Sequence, residues 1–309
     1  MLVTVTLNPC IDRLAEVPSF TYGGMNRVTS SRSDAAGKGI NVAVAYGHLG
    51  GESLCTGFHY ETGSELITDL LDAEGIPYDF TRVPGTVRTN FKIHDHATGQ
   101  TTEINESGCP VGEEAIAALT RKIGSLANEA DTMVFSGSVP PGVPADIYRT
   151  LIGIARKAGT RCVLDAQGQL LRTGIEAGPV LIKPNLYELE STFGLKINDT
   201  AEIVTAARRI MEKGVSMVAV TLGSAGAAIV NRDEAWYAPA IPVEIGGLCG
   251  AGDSAVAGFC RALDEALSLA DILRYGVAAA TASVTLPGTL LCTREDFDRY
   301  LEQAVIEPL

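Results

Sequence analysis

From Asp131 onward the chain alternates short, continuously apolar runs with amphipathic stretches, and this alternation limits the fold more than any other feature. The runs cover residues 132–135, 162–164, 180–182 and 217–220. A strand without polar alternation is buried on both faces, the situation of a parallel sheet covered by helices. Stretches of helical period lie between the runs, near residues 144–157, 187–193 and 201–213. Such alternation builds βαβ units and predicts an α/β fold. The N-terminal part fits the same plan. A strand at 2–7 stops at Asn8-Pro9, a helix runs from about Gly39 to Leu49, and strands at 54–58 and 78–82 flank a helix at 64–73. The last third, residues 252–263, 267–285 and 294–304, reads as helical.

Two regions depart from this plan. Residues 14–33 and 86–107 hold polar, alternating segments: Asn26-Arg27-Val28-Thr29, Thr89-Asn90-Phe91-Lys92-Ile93-His94 and Thr101-Thr102-Glu103-Ile104-Asn105. Alternation suits a sheet with one solvated face. The expectation is a small lid sheet made from two insertions beside the main one. No repeat, linker or low-complexity tract divides the 309 residues, so one domain is expected, with a discontinuous lid from about 12–34 and 86–107.

Charge narrows the function. The chain carries 24 basic and 37 acidic side chains, a net −13. That field repels nucleic acid and anionic membranes, so any anionic ligand must be held by a local basic cluster. The seven cysteines show no C-x-x-C spacing, which speaks against a disulfide scaffold and for a reducing, cytoplasmic setting. The N-terminal segment has no basic flank and reads as a strand, not a signal peptide. No apolar run reaches the ~20 residues of a membrane span.

Four motifs, three of them glycine-containing, carry the chemistry. Gly250-Ala251-Gly252-Asp253-Ser254 opens an apolar helix. Free N–H groups and a partial positive charge at a helix N-terminus make an anion site. A carboxylate at Asp253 could take the proton of a hydroxyl attacking phosphorus, although it also reads as an ordinary first-turn acid. Ala36-Gly37-Lys38-Gly39-Ile40-Asn41 sets a lysine between glycines at a helix start, suited to a sugar or phosphate or, equally, a solvated loop. In Lys183-Pro184-Asn185-Leu186-Tyr187-Glu188, Asn185 and Glu188 share a helix face and could order water and Mg²⁺; an N-cap followed by an acid is the plainer reading. Thr221-Leu222-Gly223-Ser224-Ala225-Gly226 is a strand end running into a turn. Arg27 and Arg88, in the two lid segments, could join Lys38 in a phosphate clamp or stand as surface arginines.

Other motifs lead elsewhere. The glycine run also matches G-x-G-x-x-A, but no strand precedes it, so a dinucleotide site is not expected. No G-x-x-x-x-G-K-[ST] occurs. His94 and His96 share a strand face near a hairpin tip, with no third metal ligand evident in the sequence. Cys249, beside the glycine run, shows no sequence sign of activation.

Taken in order, these motifs resemble the phosphofructokinase B, ribokinase-like, family of sugar kinases. The resemblance rests on Thr6-Leu7-Asn8-Pro9 with Asp12, Ala36-Gly37-Lys38-Gly39-Ile40-Asn41-Val42-Ala43, Ser136-Gly137-Ser138, Lys183-Pro184-Asn185 with Glu188, Leu222-Gly223 with Gly226, and Gly250-Ala251-Gly252-Asp253-Ser254. It spans nearly the whole chain. It implies a three-layer α/β/α core with a mostly parallel sheet and a small β lid that pairs two subunits as a homodimer. It implies Asp253 as general base and Gly250, Ala251 and Gly252 as the anion hole. Asp12, Gly37, Gly39 and Asn41 would bind sugar hydroxyls, and Lys38, Arg88, Arg27 and Ser138 the substrate phosphate. Lys183, Asn185 and Glu188 would serve ATP phosphates and Mg²⁺, Glu188 through water, and Gly223, Ser224 and Gly226 the nucleotide. Thr-Leu-Asn-Pro and Ala-Ala-Gly-Lys-Gly-Ile-Asn resemble the 1-phosphofructokinase branch, implying fructose 1-phosphate as substrate. Tagatose-6-phosphate and fructose-6-phosphate kinases are the neighbouring alternatives. Cys249, and Asp165-Ala166-Gln167-Gly168, depart from the family pattern, with no expected effect on the chemistry.

Overall fold

A computed structural model describes residues 1–309. In chain order, β1 (Leu2–Thr6) leads into β2 (Cys10–Val17) and β3 (Ser30–Ala36), then α1 (Lys38–His48), β4 (Ser53–Thr62) and α2 (Glu65–Ala73). Next come β5 (Tyr78–Thr86), β6 (Arg88–Asp95), β7 (Gln100–Asn105), α3 (Glu113–Leu126), β8 (Thr132–Ser136), α4 (Ile147–Lys157) and β9 (Arg161–Asp165). They are followed by α5 (Gly168–Gly174), β10 (Leu181–Ile182), α6 (Leu186–Phe193), α7 (Thr200–Met211) and β11 (Met217–Thr221). The chain closes with β12 (Ala227–Val230), β13 (Ala235–Ala238), α8 (Ala251–Asp264), α9 (Leu269–Val284), α10 (Arg294–Gln303) and β14 (Glu307–Pro308).

The main sheet runs β14-β13-β12-β11-β10-β9-β8-β1-β4-β5. From β11 to β5 every pairing is parallel. The β11–β14 edge is antiparallel. The apolar runs that announced a covered sheet are fully buried: β1, β8 and β10 show no exposed residue. Order reverses at β1, which pairs with β4 on one side and β8 on the other. In an open α/β sheet such a switch point leaves a crevice at the carboxyl ends of the strands, where ligands bind. Helix α1 lies directly against β1. A Cβ at Gly39 would stand 2.5 Å from Thr6 Oγ1, so only glycine permits this approach.

The second sheet, β3-β2-β6-β7, is separate and assembled from the two expected insertions. Its central pair β2 and β6 is parallel, with antiparallel β3 and β7 outside. Three local expectations need correction. Asn26–Thr29 is irregular, and β3 starts only at Ser30, because the Asn26 side chain closes a turn on the Thr21 amide and carbonyl. The β12–β13 hairpin had no counterpart in the sequence reading. Helices α3 and α5 were likewise not read. In α3 only Leu119 and Ile123 are buried, so its apolar stripe is thin. No helix is long and apolar enough to cross a membrane.

Candidate active site

The crevice predicted by the switch point is a cleft of about 470 Å³ between the main sheet and the lid. Its floor is built from strand ends. Thr6 ends β1 and Asn8 lies just beyond it, Ser136 ends β8 with Gly137 and Ser138 beyond it, and Asp165, at the end of β9, is buried beneath the lining. Lys183 follows β10 and reaches the same Asp165 carboxylate. The N-termini of α1 and α8 close one wall with Lys38, Asn41, Gly250 and Asp253. The lid forms the roof with Asp12 from β2 and Arg88, Asn90 and Lys92 from β6. A larger hollow of about 600 Å³, lined by residues such as Glu244, Gly246, Thr285 and Arg299, is more open and contains none of these groups.

Asp165 is the electrostatic hub. It is wholly buried, and Lys38 Nζ lies 3.2 Å and Lys183 Nζ 3.3 Å from its carboxylate. Burial alone would push its pKa up and disfavour the charge, but Lys183 and Lys38 outweigh burial and hold it below the usual carboxylate range. Burial opposes the charge of Lys38, yet Asp165, Asp253 and Glu188 together hold its ammonium above the ordinary lysine range. The expectation that the Asp165 segment stands apart from the chemistry is therefore corrected: its carboxylate positions Lys38, which lines the cleft, and the buried Lys183 beside it.

Asp253 occupies the first turn of α8, whose N-cap Gly250 has φ +78°. That left-handed conformation, and a neighbouring Leu291 Cδ2 only 2.5 Å from where a Cβ would stand, suit glycine. Asn41 Nδ2 donates to Asp253 Oδ2 at 2.8 Å. Burial pushes the Asp253 carboxyl up to about 6, Lys38 opposing and Asp165 reinforcing the shift. A hypothetical Cβ on Gly252 would lie 3.4 Å from Lys183 Nζ, so the α8 terminus faces a cation across a space with no side chain in it. A carboxylate near neutrality beside free helix amides and paired cations can accept a proton while an anion is held next to it.

The roof carries a second polar set. Lys92 Nζ pairs with Asp12 Oδ2 at 2.6 Å and donates to Cys249 Sγ at 2.9 Å. Asn90 Nδ2 donates to Asp12 Oδ1 at 3.0 Å. Arg88 donates to the carbonyls of Asn8 and Glu106, which fixes its guanidinium at the hinge between lid and floor. Three residues that line the cleft carry a buried side-chain oxygen with no protein partner: Thr6 Oγ1, Asn8 Oδ1 and Ser136 Oγ. Buried polar groups seldom stay unpaired, so these sites suit a hydroxylated ligand.

Of the residues marked in the sequence, Asp12, Gly37, Lys38, Asn41, Arg88, Ser138, Gly250 and Asp253 line the cleft. Gly39 is buried beneath it against Thr6, and Ala251 and Gly252 form the first turn of α8. Asn185 and Glu188 form a capping box: Glu188 N donates to Asn185 Oδ1, and Asn185 N donates to Glu188 Oε2. The plainer capping reading of that pair is thus present, and Glu188 Oε1 is left over. Gly223, Ser224 and Gly226 sit in the turn after β11, outside the cleft but beside the Lys183 turn, since Thr221 N donates to the Pro184 carbonyl. Arg27 is exposed and lies outside the cleft lining. Asn90, Lys92 and Asp165 were missed, and Cys249 was set aside as unconnected to the chemistry. Arg88, Asn90 and Lys92 recur at period two on one face of β6, the signal that would have found the first two.

An open α/β sheet with an acid at a helix N-terminus, a clustered set of cations and a β lid defines a phosphate-handling sugar kinase of ribokinase type. The chain belongs to the pfkB family of carbohydrate kinases, whose model matches residues 5–296. A 1-phosphofructokinase of Rhodobacter capsulatus is 37% identical over 90% of this chain and 88% of its own length. Another from Borreliella burgdorferi is 34% identical over 100% and 99%. The crystal structure of phosphofructokinase-2 from Escherichia coli in complex with fructose-6-phosphate superposes with a TM-score of 0.90 at 30% identity, covering 98% of both chains.

Proposed function

We propose that this chain transfers the γ-phosphoryl group of ATP to fructose 1-phosphate, giving fructose 1,6-bisphosphate. The observation that carries the reading is Asp253, buried at the α8 N-terminus with its carboxyl pushed up to about 6, in a cleft where an acidic protein gathers Lys38, Arg88 and Lys92. The C6 hydroxyl attacks phosphorus in line with the leaving ADP oxygen. The O6–P bond forms, the bond to the β-phosphate oxygen breaks, and the hydroxyl proton passes to Asp253. Negative charge on the transferring group meets the free N–H groups of residues 250–252. Asp12, Asn41 and the unpaired Thr6, Asn8 and Ser136 oxygens are assigned to sugar hydroxyls. Arg88 and Ser138 at the lid hinge are assigned to the substrate phosphate, with Arg27 joining only through lid movement or a second subunit. Lys38 joins Arg88 and Ser138 on the substrate phosphate, Lys183 serves the transferring phosphates, and the turn at Gly223, Ser224 and Gly226 the nucleotide.

Mg²⁺ fits this site: Glu188 is buried among these groups with Oε1 uncommitted, and would hold the ion through water, where Mg²⁺ neutralises phosphate charge. Lid closure would exclude water, the competing phosphoryl acceptor. A homodimer through the lid is supported by its outer face. Phe91 and Ile104, opposite one another in β6 and β7, are 38% and 54% exposed. Seven free cysteines favour a cytoplasmic setting.

The second reading is a 6-phosphate substrate, fructose or tagatose 6-phosphate, favoured by the likeness to phosphofructokinase-2. A ketofuranose carries a CH₂O group at each end, so reversal of the sugar serves the same site. ADP release with Mg-ATP separates them. A kcat/KM preference for fructose 1-phosphate over both 6-phosphates supports the first reading. The reverse preference selects the second, and no ADP with any of them overturns both.

A further inference from the structure

The lid carries a group of ligating side chains that the phosphoryl chemistry does not use. Glu16 on β2 stands directly opposite His94 on β6 in the strand register, and His96 follows in the turn just past the end of β6. One ligand atom from each of the three lies within 4.8 Å of the other two. His96 Nε2 is 2.8 Å from Glu16 Oε2, yet that oxygen is buried and has no aligned hydrogen-bond donor. The two imidazole rings meet edge to face with centroids 5.1 Å apart. His94 Nδ1 lies 3.1 Å from Thr101 Oγ1, its register partner on β7.

Three lone-pair-bearing atoms converging on one point repel one another unless a proton or a metal cation lies between them, and one proton bridges only the His96–Glu16 pair. With Nδ1–H of His94 given to Thr101, Nε2 keeps its lone pair, the arrangement that fixes the tautomer of a metal-ligating histidine. Two imidazoles and a carboxylate, with a fourth position open to water, form a ligand set typical of Zn²⁺. Tetrahedral Zn²⁺ needs ligand atoms about 3.4 Å apart, so His96 Nε2 and Glu16 Oε2 would part slightly while His94 draws in by side-chain rotation. The backbone beneath is firm: His96 N donates to the Val17 carbonyl, and Asp95 caps the turn through Ala97 N and Thr98 Oγ1.

We propose that Glu16, His94 and His96 form a divalent transition-metal site that binds Zn²⁺ and clasps β2 to β6 at the distal end of the lid. The site is not catalytic. Glu16 is four residues from Asp12 on the same strand, about 13 Å at strand rise. It borders the substrate roof, because Lys92 is two residues from His94 on the same face. Binding there stiffens the strands that carry Asp12 and Lys92.

The test is Zn²⁺ binding to chelator-treated full-length protein by calorimetry, compared with Glu16→Gln, His94→Ala and His96→Ala. One equivalent should bind to wild type, weakened at least ~10-fold in each variant. Thr101→Val should weaken it less. Co²⁺ gives a second readout: a visible absorption band from a low-coordinate site, present in wild type and lost in His94→Ala. His96 and Glu16 lie outside the phosphoryl machinery, so unchanged ADP formation in metal-depleted buffer with Mg²⁺ shows that the variants fold. Equal Zn²⁺ stoichiometry and affinity in wild type and all three variants, or no binding to wild type, overturns the proposal.

Discussion

Asn41 donates its side-chain amide to the Asp253 carboxylate at 2.8 Å, which links the first helix of the chain to the helix that carries the glycine run. The bond orients Asp253 toward the cleft and stabilises its charged form against burial. Asp253→Asn keeps shape and bonding capacity but loses the proton acceptor. Turnover should fall at least ~100-fold, the lower end for general-base loss, with ATP affinity near wild type. Single-turnover ADP formation checks this, and a variant within tenfold of wild type refutes the base assignment.

The same substitution should stabilise the fold. The folded Asp253 carboxyl sits at about 6, above the ~3.9 of an unfolded chain. A raised acid favours its protonated form in the fold, so stability falls as pH rises from about 4 to 6 and the penalty is complete above that. A neutral amide at this position carries no such penalty. Asp253→Asn should therefore melt higher than wild type at pH 8, by an amount on the order of 1–3 kcal/mol. The difference should close toward pH 4. Thermal unfolding at the two pH values is the check, and a variant less stable at pH 8 contradicts the burial argument.

The pH profile of activity follows from the same carboxyl. Ionised Asp253 is the working form, so kcat/KM should decline as pH falls through about 6. The second ionisation of a sugar phosphate also lies near pH 6, so one profile is ambiguous. Asn41→Ala removes a bond that favours the charged carboxylate, and its acid limb should move to higher pH. The substrate ionisation is common to both enzymes, so the displacement reports Asp253. Superimposable limbs would mean another group sets the profile.

The buried runs of β1, β8, β9 and β11 were legible because a doubly covered strand leaves a continuous apolar signature. The glycine-led helix starts of α1 and α8 were legible because few residue types permit a backbone to approach an anion. Asp165 was not legible: it ends a strand like any polar terminator, and only the sheet order brings Lys38 and Lys183 to it from distant segments. The β12–β13 hairpin escaped because Ala227–Val230 and Ala235–Ala238 follow β11 with no α-helix between them, which breaks the strand–helix alternation that revealed the other strands. Glu16 could not be connected to His94 and His96, because the parallel β2–β6 pairing spans two separate insertions.

Asp165→Asn should be among the most damaging single changes in the cleft. Its carboxylate compensates two ammonium groups in a wholly buried position. Removing one partner of a buried ionic set typically costs about 3–5 kcal/mol, because the remaining charges lose their compensation. Denaturant unfolding should show a loss of that size. Activity, where the fold survives, should show raised KM for ATP and for the sugar phosphate together. Loss of affinity for one substrate alone would mean that one lysine is held by something else.

Cys249 offers a chemical probe of the roof. Five of the seven thiols are buried, and burial pushes Cys10, Cys55 and Cys162 up to about 12. Only Cys109 and Cys249 are partly exposed. Cys109 packs against Gly85 and is absent from the cleft lining, whereas Cys249 lies in the cleft with its sulfur 2.9 Å from Lys92 Nζ. A maleimide should label both in the folded protein, but inactivation should follow Cys249 alone and be slowed by sugar phosphate. Cys249→Ser should keep activity, since Lys92 retains Asp12 as its partner, and should resist inactivation. Inactivation of Cys249→Ser at the wild-type rate would place the sensitive thiol elsewhere and detach Cys249 from the substrate roof.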